Sequence, residues 1–144
     1  MQTPRRFVVV VAASLIACLT APATASATPS AGVEARTLSQ ATVDGIDYVT
    51  REITIAPGGS TGWHYHDGRV FGVIREGTLT HDAATCAGDG IYPPGAPITE
   101  ASGPGNVHIG RNLGPGPLVM WVVYIQPAGT PLAVDAPNPG CGFA

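Results

Sequence analysis

The stretch Gly58-Gly-Ser-Thr-Gly-Trp-His-Tyr-His66 sets two imidazoles two residues apart. The run reads as extended, and in a strand residues i and i+2 leave the same face. His64 and His66 are therefore expected to point the same way. Two neutral imidazoles side by side can share one divalent metal, and imidazole suits zinc, iron, copper and nickel. The bland alternative is a pair of solvent-facing histidines on an edge strand. A third histidine in a second recognisable context, His108-Ile-Gly-Arg-Asn112 after a glycine-rich turn, weighs against it.

Other side chains near these two stretches could take part. Glu100 lies at a strand end shortly before that turn, placed to supply a carboxylate or to act as acid or base; the alternative is a solvated or arginine-paired glutamate. Arg111 could hold a substrate carboxylate through two parallel hydrogen bonds, or run out to solvent, or pair with Glu76. His81, at a strand end beside a long loop, reads as a surface residue. Asn112 reads as a turn residue whose amide holds the strand end. Trp63 and Tyr65 alternate away from the histidine pair, so Trp63 should pack in an outer layer or touch a second copy of the chain. Val70, Val73 and the run from Val119 to Val123 line the core or wall an apolar pocket.

Short strands must position these groups. Ile46–Ile55 alternates as a half-buried strand, with Ile46, Tyr48, Ile53 and Ile55 as its apolar members. Pro57-Gly58-Gly59 reads as a turn and Trp63–His66 as the next strand. Val70–Ile74, Thr78–His81, Ile98–Glu100 and Val107–Arg111 follow, with a long loop over Asp82–Pro97. Leu118–Ile125 is apolar on both faces and is expected to be a central, fully covered strand. No helix is expected after the leader. The pattern predicts an all-β sandwich or barrel of the jelly-roll kind.

Composition agrees. The chain has 144 residues, 44% hydrophobic and only 12% charged, with 19 Gly and 14 Pro. That is too apolar for disorder and too rich in turn formers for a helical protein. There is no lysine, and the net charge of −3 offers no basic patch to a nucleic acid. Arg5-Arg6, the apolar run Phe7–Leu19 and the small-x-small sites at Ala23-Thr-Ala25 and Ala25-Ser-Ala27 predict a secretory signal peptide over residues 1–27. The apolar run falls short of the ~20 residues that span a bilayer. Leu15-Ile-Ala-Cys18 offers the alternative of a lipoprotein anchored through Cys18. Without the leader, five arginines face ten acids, a net charge of −5, and no stable membrane partner is expected. The two remaining cysteines, Cys86 and Cys141, are an even pair in an exported chain and predict one disulfide. Residues 28–41 read as a linker, 42–128 as the barrel, and 129–144 as an irregular tail held by Cys141.

The two histidine contexts together resemble the cupin superfamily. On its first motif, G-x5-H-x-H-x3,4-E-x6-G, Gly58, His64, His66 and Gly77 fall in place, while Val70 occupies the glutamate slot. On the second, G-x5-P-x-G-x2-H-x3-N, fall Gly95, Gly103, His108 and Asn112, with Ala101 in place of proline and two extra residues before His108. The resemblance implies a cupin-type double-stranded β-helix and a metal held by His64, His66 and His108. The metal would be one divalent transition ion: iron, zinc, manganese or nickel. Three nitrogens with open positions is a catalytic arrangement for zinc. The histidines must be neutral to bind, so affinity should fall below pH ~6.5.

Two functional classes follow. One is an enzyme whose metal centre works on a small anionic or oxygen-rich molecule, as an oxygenase, isomerase or hydrolase of the cupin type. The other is a non-catalytic module that binds a small molecule or captures metal. A small molecule, and a second copy of the chain, are the expected partners.

Overall fold

The computed structural model describes residues 27–144. The expected leader, save for Ala27, and Cys18 with it lie outside the described residues. Ten strands follow: β1 (Ala31–Val43), β2 (Ile46–Ser60), β3 (His64–Tyr65), β4 (Arg69–Glu76), β5 (Leu79–Ala83), β6 (Gly88–Tyr92), β7 (Pro97–Glu100), β8 (His108–Arg111), β9 (Leu118–Pro127) and β10 (Val134–Asp135). A single 3-10 turn, Pro104–Asn106, precedes β8. Every strand pair is antiparallel. One side of the barrel runs β1-β2-β9-β4-β7 and the other β10-β3-β8-β5-β6. The end of β2 joins them, where Ser60 pairs with Arg111, and a bridge between His66 and Ser102 links them again. This is the jelly-roll architecture that the strand pattern predicts.

The long side carries the main core. Val49, Ile53, Ile55, Val70, Ile74, Leu118, Met120 and Val122 turn inward and meet Leu79 and Ile98. Fully burying such a side chain contributes roughly 1.5–3 kcal/mol. The inward phase of β2 is Val49, Ile53 and Ile55, so Tyr48 faces outward and is half-exposed. β9 sits between β2 and β4, central as expected, but only one of its faces is fully covered: Trp121 stays 40% exposed on the other.

Three expectations are corrected. The expected linker over residues 28–41 is mostly strand: from Ala31 to Val43 the chain forms β1, which pairs with β2 over nearly its whole length. It is an edge strand of small polar residues, exposed almost throughout, with Val33 alone packed on the core. Pro57-Gly58-Gly59 does not end β2 but bends it, with Gly58 at φ +75°, so that its tail reaches β8. The loop Asp82–Pro97 contains β6, which folds back on β5 as a hairpin.

The tail is also a built element. Strand β10 pairs with β3, setting Val134 against Tyr65 and Asp135 against His64. Trp63 is fully buried and stacks on Phe143 at 5.9 Å, in a second core with Ile109, Ala136 and Cys141. Trp63 is therefore not available to a second copy of the chain. Cys86, in the β5–β6 turn, and Cys141 form a disulfide across 55 residues. The bridge ties the site-bearing hairpin to the tail but does not hold the tail alone.

Candidate metal centre

All four histidines of the chain gather inside one end of the barrel. The strands explain how. His64 on β3 pairs directly with His108 on β8. His81 on β5 pairs with Gly110, two residues from His108 and on its face. His66 follows β3 and is closed in by the Ser102 bridge. The rings of His64 and His108 lie 4.4 Å apart, those of His64 and His66 4.8 Å, and those of His81 and His108 4.8 Å. Each histidine is at most 7% exposed.

Each ring is held by its Nδ1. His64 donates to the Gly62 carbonyl at 2.9 Å, His66 to Leu132 at 2.6 Å and His108 to Asn106 at 2.8 Å. His81 donates to the Asp89 carboxylate at 2.5 Å. A carbonyl or carboxylate oxygen can only accept, so Nδ1 carries the hydrogen in every ring. In the neutral form each Nε2 then presents a lone pair to the interior. Nε2 of His66, His81 and His108 is buried without a hydrogen-bond partner. Leu132 belongs to the tail, so that segment orients one of the site's rings.

Glu100 completes the cluster. It sits opposite Val70 in the β4–β7 register and shares its face. The carboxylate that Val70 cannot supply therefore comes from the neighbouring strand. Glu100 Oε2 lies 2.9 Å from His66 Nε2 and 3.6 Å from His108 Nε2, and Oε1 lies 3.4 Å from His81 Nε2. The close approach to His66 is not a hydrogen bond in the neutral tautomer, because two acceptors face each other.

Burial sets the electrostatics. It pushes the His64 imidazolium down to about 3, helped by the charges that His108 and His66 would carry. Burial works the same way on His81, but Glu100 and Asp89 outweigh it and hold His81 above its usual value. Glu100 would be raised by burial alone; His108, His66 and His81 hold it well below the usual carboxylate range when their Nε2 carries a proton. Burial raises the Tyr124 hydroxyl, whose ring lies 5.6 Å from that of His66.

The donor set fits a cation. His64, His66 and His108 offer ligand atoms within 4.8 Å of one another. Ligand atoms about 2.1 Å from one tetrahedral metal lie roughly 3.4 Å apart, and Glu100 Oε2 stands 2.9 Å from His66 Nε2 and 3.6 Å from His108 Nε2. A cavity of about 320 Å³ opens beside the cluster, reached by His81, Glu100 and His108 and edged by Asp89, Thr85 and Asn106. A smaller void of about 30 Å³ lies deeper, against Ile53, Val70 and Met120.

The remaining candidates fall elsewhere. Arg111 is ion-paired with Asp82 at 2.7 Å and lies over the Phe143 ring at 3.8 Å, so it braces the second core and lines neither cavity. Asn112 is fully buried; its amide donates to Ile55 and Gly116 and accepts from Gly114, as a residue holding the strand end should. His81 is not a surface residue. The strand Thr78–His81 carried the signal: Leu79 and His81 alternate onto one face, and Leu79 is a core residue.

No protein-family model matches the chain, and no curated protein matches it. Solved structures do match in shape. A cupin-like protein from Thermotoga maritima superposes with a TM-score of 0.60 at 17% identity, covering 74% of this chain and 77% of that one. An uncharacterized double-stranded β-helix protein from Klebsiella pneumoniae gives 0.59 at 18% identity, covering 72% and 84%. A cupin domain from Bordetella pertussis gives 0.55 at 21% identity, covering 66% and 94%. The barrel, with its histidines gathered at one end, has the double-stranded β-helix fold of the cupin superfamily.

Proposed function

We propose that this is a cupin metalloprotein that uses His64, His66 and His108 to hold one divalent transition metal and receives a small molecule in the adjoining cavity. The observation that carries the reading is the common tautomer. All four rings are tied by Nδ1, and three of them, His66, His81 and His108, aim Nε2 lone pairs at the buried Glu100 carboxylate with no donor among them. Protonating several rings this close would set like charges together in a dry interior, whereas a bound cation meets these acceptors without adding a proton to any ring. The metal would supply Lewis acidity and open coordination positions for substrate or water. Glu100, ionised and facing the cavity, can take a proton from a bound molecule; Asp89 and Asn106 fix the rings of His81 and His108. No arginine lines either cavity and the chain has no lysine, so an uncharged oxygen-rich molecule suits the lining better than an anion. An oxygenase, isomerase or hydrolase would each be served by this arrangement. The second reading, a non-catalytic module for metal or small-molecule capture, is favoured by the same cluster if no turnover accompanies binding.

Export is part of the proposal. The leader pattern supports secretion, the alternative being lipid attachment at Cys18, and a disulfide is compatible with either route. The test is elemental analysis of protein purified from an oxidising compartment. The parent should carry about one transition metal per chain and His108→Ala essentially none, with both folded by circular dichroism. Equal metal content in the two would reject the reading.

A further inference from the structure

We propose that His81, Glu100 and His108 form a second, outer cation position overlapping the first, so that the chain holds one ion at a time in either of two places. This rests on the reading of the cluster as metal-binding and goes beyond it. The three offer ligand atoms within 4.8 Å of one another. Their chemistry is already oriented: Asp89 fixes His81 and the Asn106 carbonyl fixes His108, each through Nδ1. Nε2 of both rings is buried without a hydrogen-bond partner, and both side chains are only 6% exposed. Glu100 divides its oxygens, with Oε2 toward His66 and His108 and Oε1 toward His81.

The overlap follows from His108. Its Nδ1 is committed to Asn106, so it has a single nitrogen to give. That nitrogen can complete the inner trio with His64 and His66 or the outer trio with His81 and Glu100, but not both. The two sets differ in kind. The inner one is three imidazoles, with Glu100 Oε2 at its edge 2.9 Å from His66 Nε2, and His64 and His66 reach the smaller, deeper void. The outer one is two imidazoles and a carboxylate, and its three members all line the larger cavity. Imidazole ligands suit zinc, nickel and copper, whereas carboxylate and water suit manganese. The inner position, richer in imidazole, therefore favours zinc over manganese more strongly, and the outer one, which zinc also fits, accepts manganese with solvent completing its shell.

The experiment is equilibrium dialysis of the metal-free, disulfide-intact chain against zinc and manganese at pH 7.5. The parent should bind at most one ion in total, with zinc displacing manganese. His81→Ala should weaken manganese binding at least tenfold and leave zinc within threefold. His64→Ala/His66→Ala should leave manganese binding within threefold and narrow the preference for zinc over manganese. Zinc and manganese bound together at two per chain would overturn the proposal. So would a parent that binds zinc but no manganese, or a His81→Ala variant whose manganese binding is unchanged. If the double variant does not fold, the competition on the parent decides alone. A parent that binds neither metal would reject the metal-binding reading as well, which separates the two failures.

Discussion

The two tryptophans mark the contrast between the two sides of this barrel. Trp121 stands on the long sheet, 40% exposed, with its indole donating to Glu52 at 2.8 Å and Arg75 lying over its ring at 4.4 Å. Trp63 stands beside the site on the short sheet, fully buried beneath Phe143. The long side is held by strand pairing and an aliphatic core, and needs no other fastening. The short side is built of strands two to five residues long with four histidines turned inward, which is poor material for a core. It is fastened from outside by the tail, by Arg111 on Asp82 and Phe143, and by the disulfide. A site of converging acceptors costs stability, and the second core offsets that cost from behind.

Substitutions can break this contrast. Trp63→Ala should cost about 3–5 kcal/mol by chemical denaturation, the range for emptying a fully buried aromatic site. A loss below 1 kcal/mol would show that the tail does not brace the site. Replacing Cys86 and Cys141 together by serine should cost about 2–4 kcal/mol, through the freedom returned to a 55-residue loop. Proteolysis of the double variant should then begin in the tail, and cleavage first in β1 would count against the account.

Acid should act next. His64 has a folded value of about 3 against 6.5 when free, so the unfolded chain takes up the proton first. Stability of the metal-free protein is therefore lost as pH falls from about 6.5 toward 3, and at pH 5 the loss from this group is about 2 kcal/mol. Glu100, held low, adds in the same direction as pH falls further; His81, held high, contributes stability that is lost only as pH rises through its folded value. His64→Ala should flatten the dependence between pH 7 and 5. An unchanged slope would contradict the buried, neutral state of this ring. The smallest effect belongs to Trp121→Ala, about 1 kcal/mol, since it removes one exposed hydrogen bond and a cation–π contact.

Much of this was legible in residue spacing. Alternation along the strands points to the barrel, His-x-His to two imidazoles on one face, and Asn112 to a turn residue whose amide holds the strand end. What escaped did so for physical reasons. The pairing of β1 lies along an exposed edge, where no apolar period is imposed because one face has nothing to bury. The tail carries no period either; its role depends on contacts with Trp63 and His66 some 65–80 residues away in sequence. Val70 in the glutamate slot read as a missing ligand because motifs run along one strand, whereas Glu100 reaches the same face from the strand beside it. His81 borders a loop that reads as surface, while its alternation with Leu79 points inward, and the alternation prevails.

The central claim is that the histidine–glutamate cluster is completed by a cation. A ligand that binds only the folded state at 100 times its Kd adds about 2.7 kcal/mol, several degrees in a domain of this size. The most direct measurement is a pair of melting curves for the parent at pH 7.5, one with a chelator and one with saturating zinc, repeated on His108→Ala. The account predicts a rise of several degrees with zinc in the parent and none in the variant. Coincident curves in the parent, with zinc and with manganese alike, would contradict it.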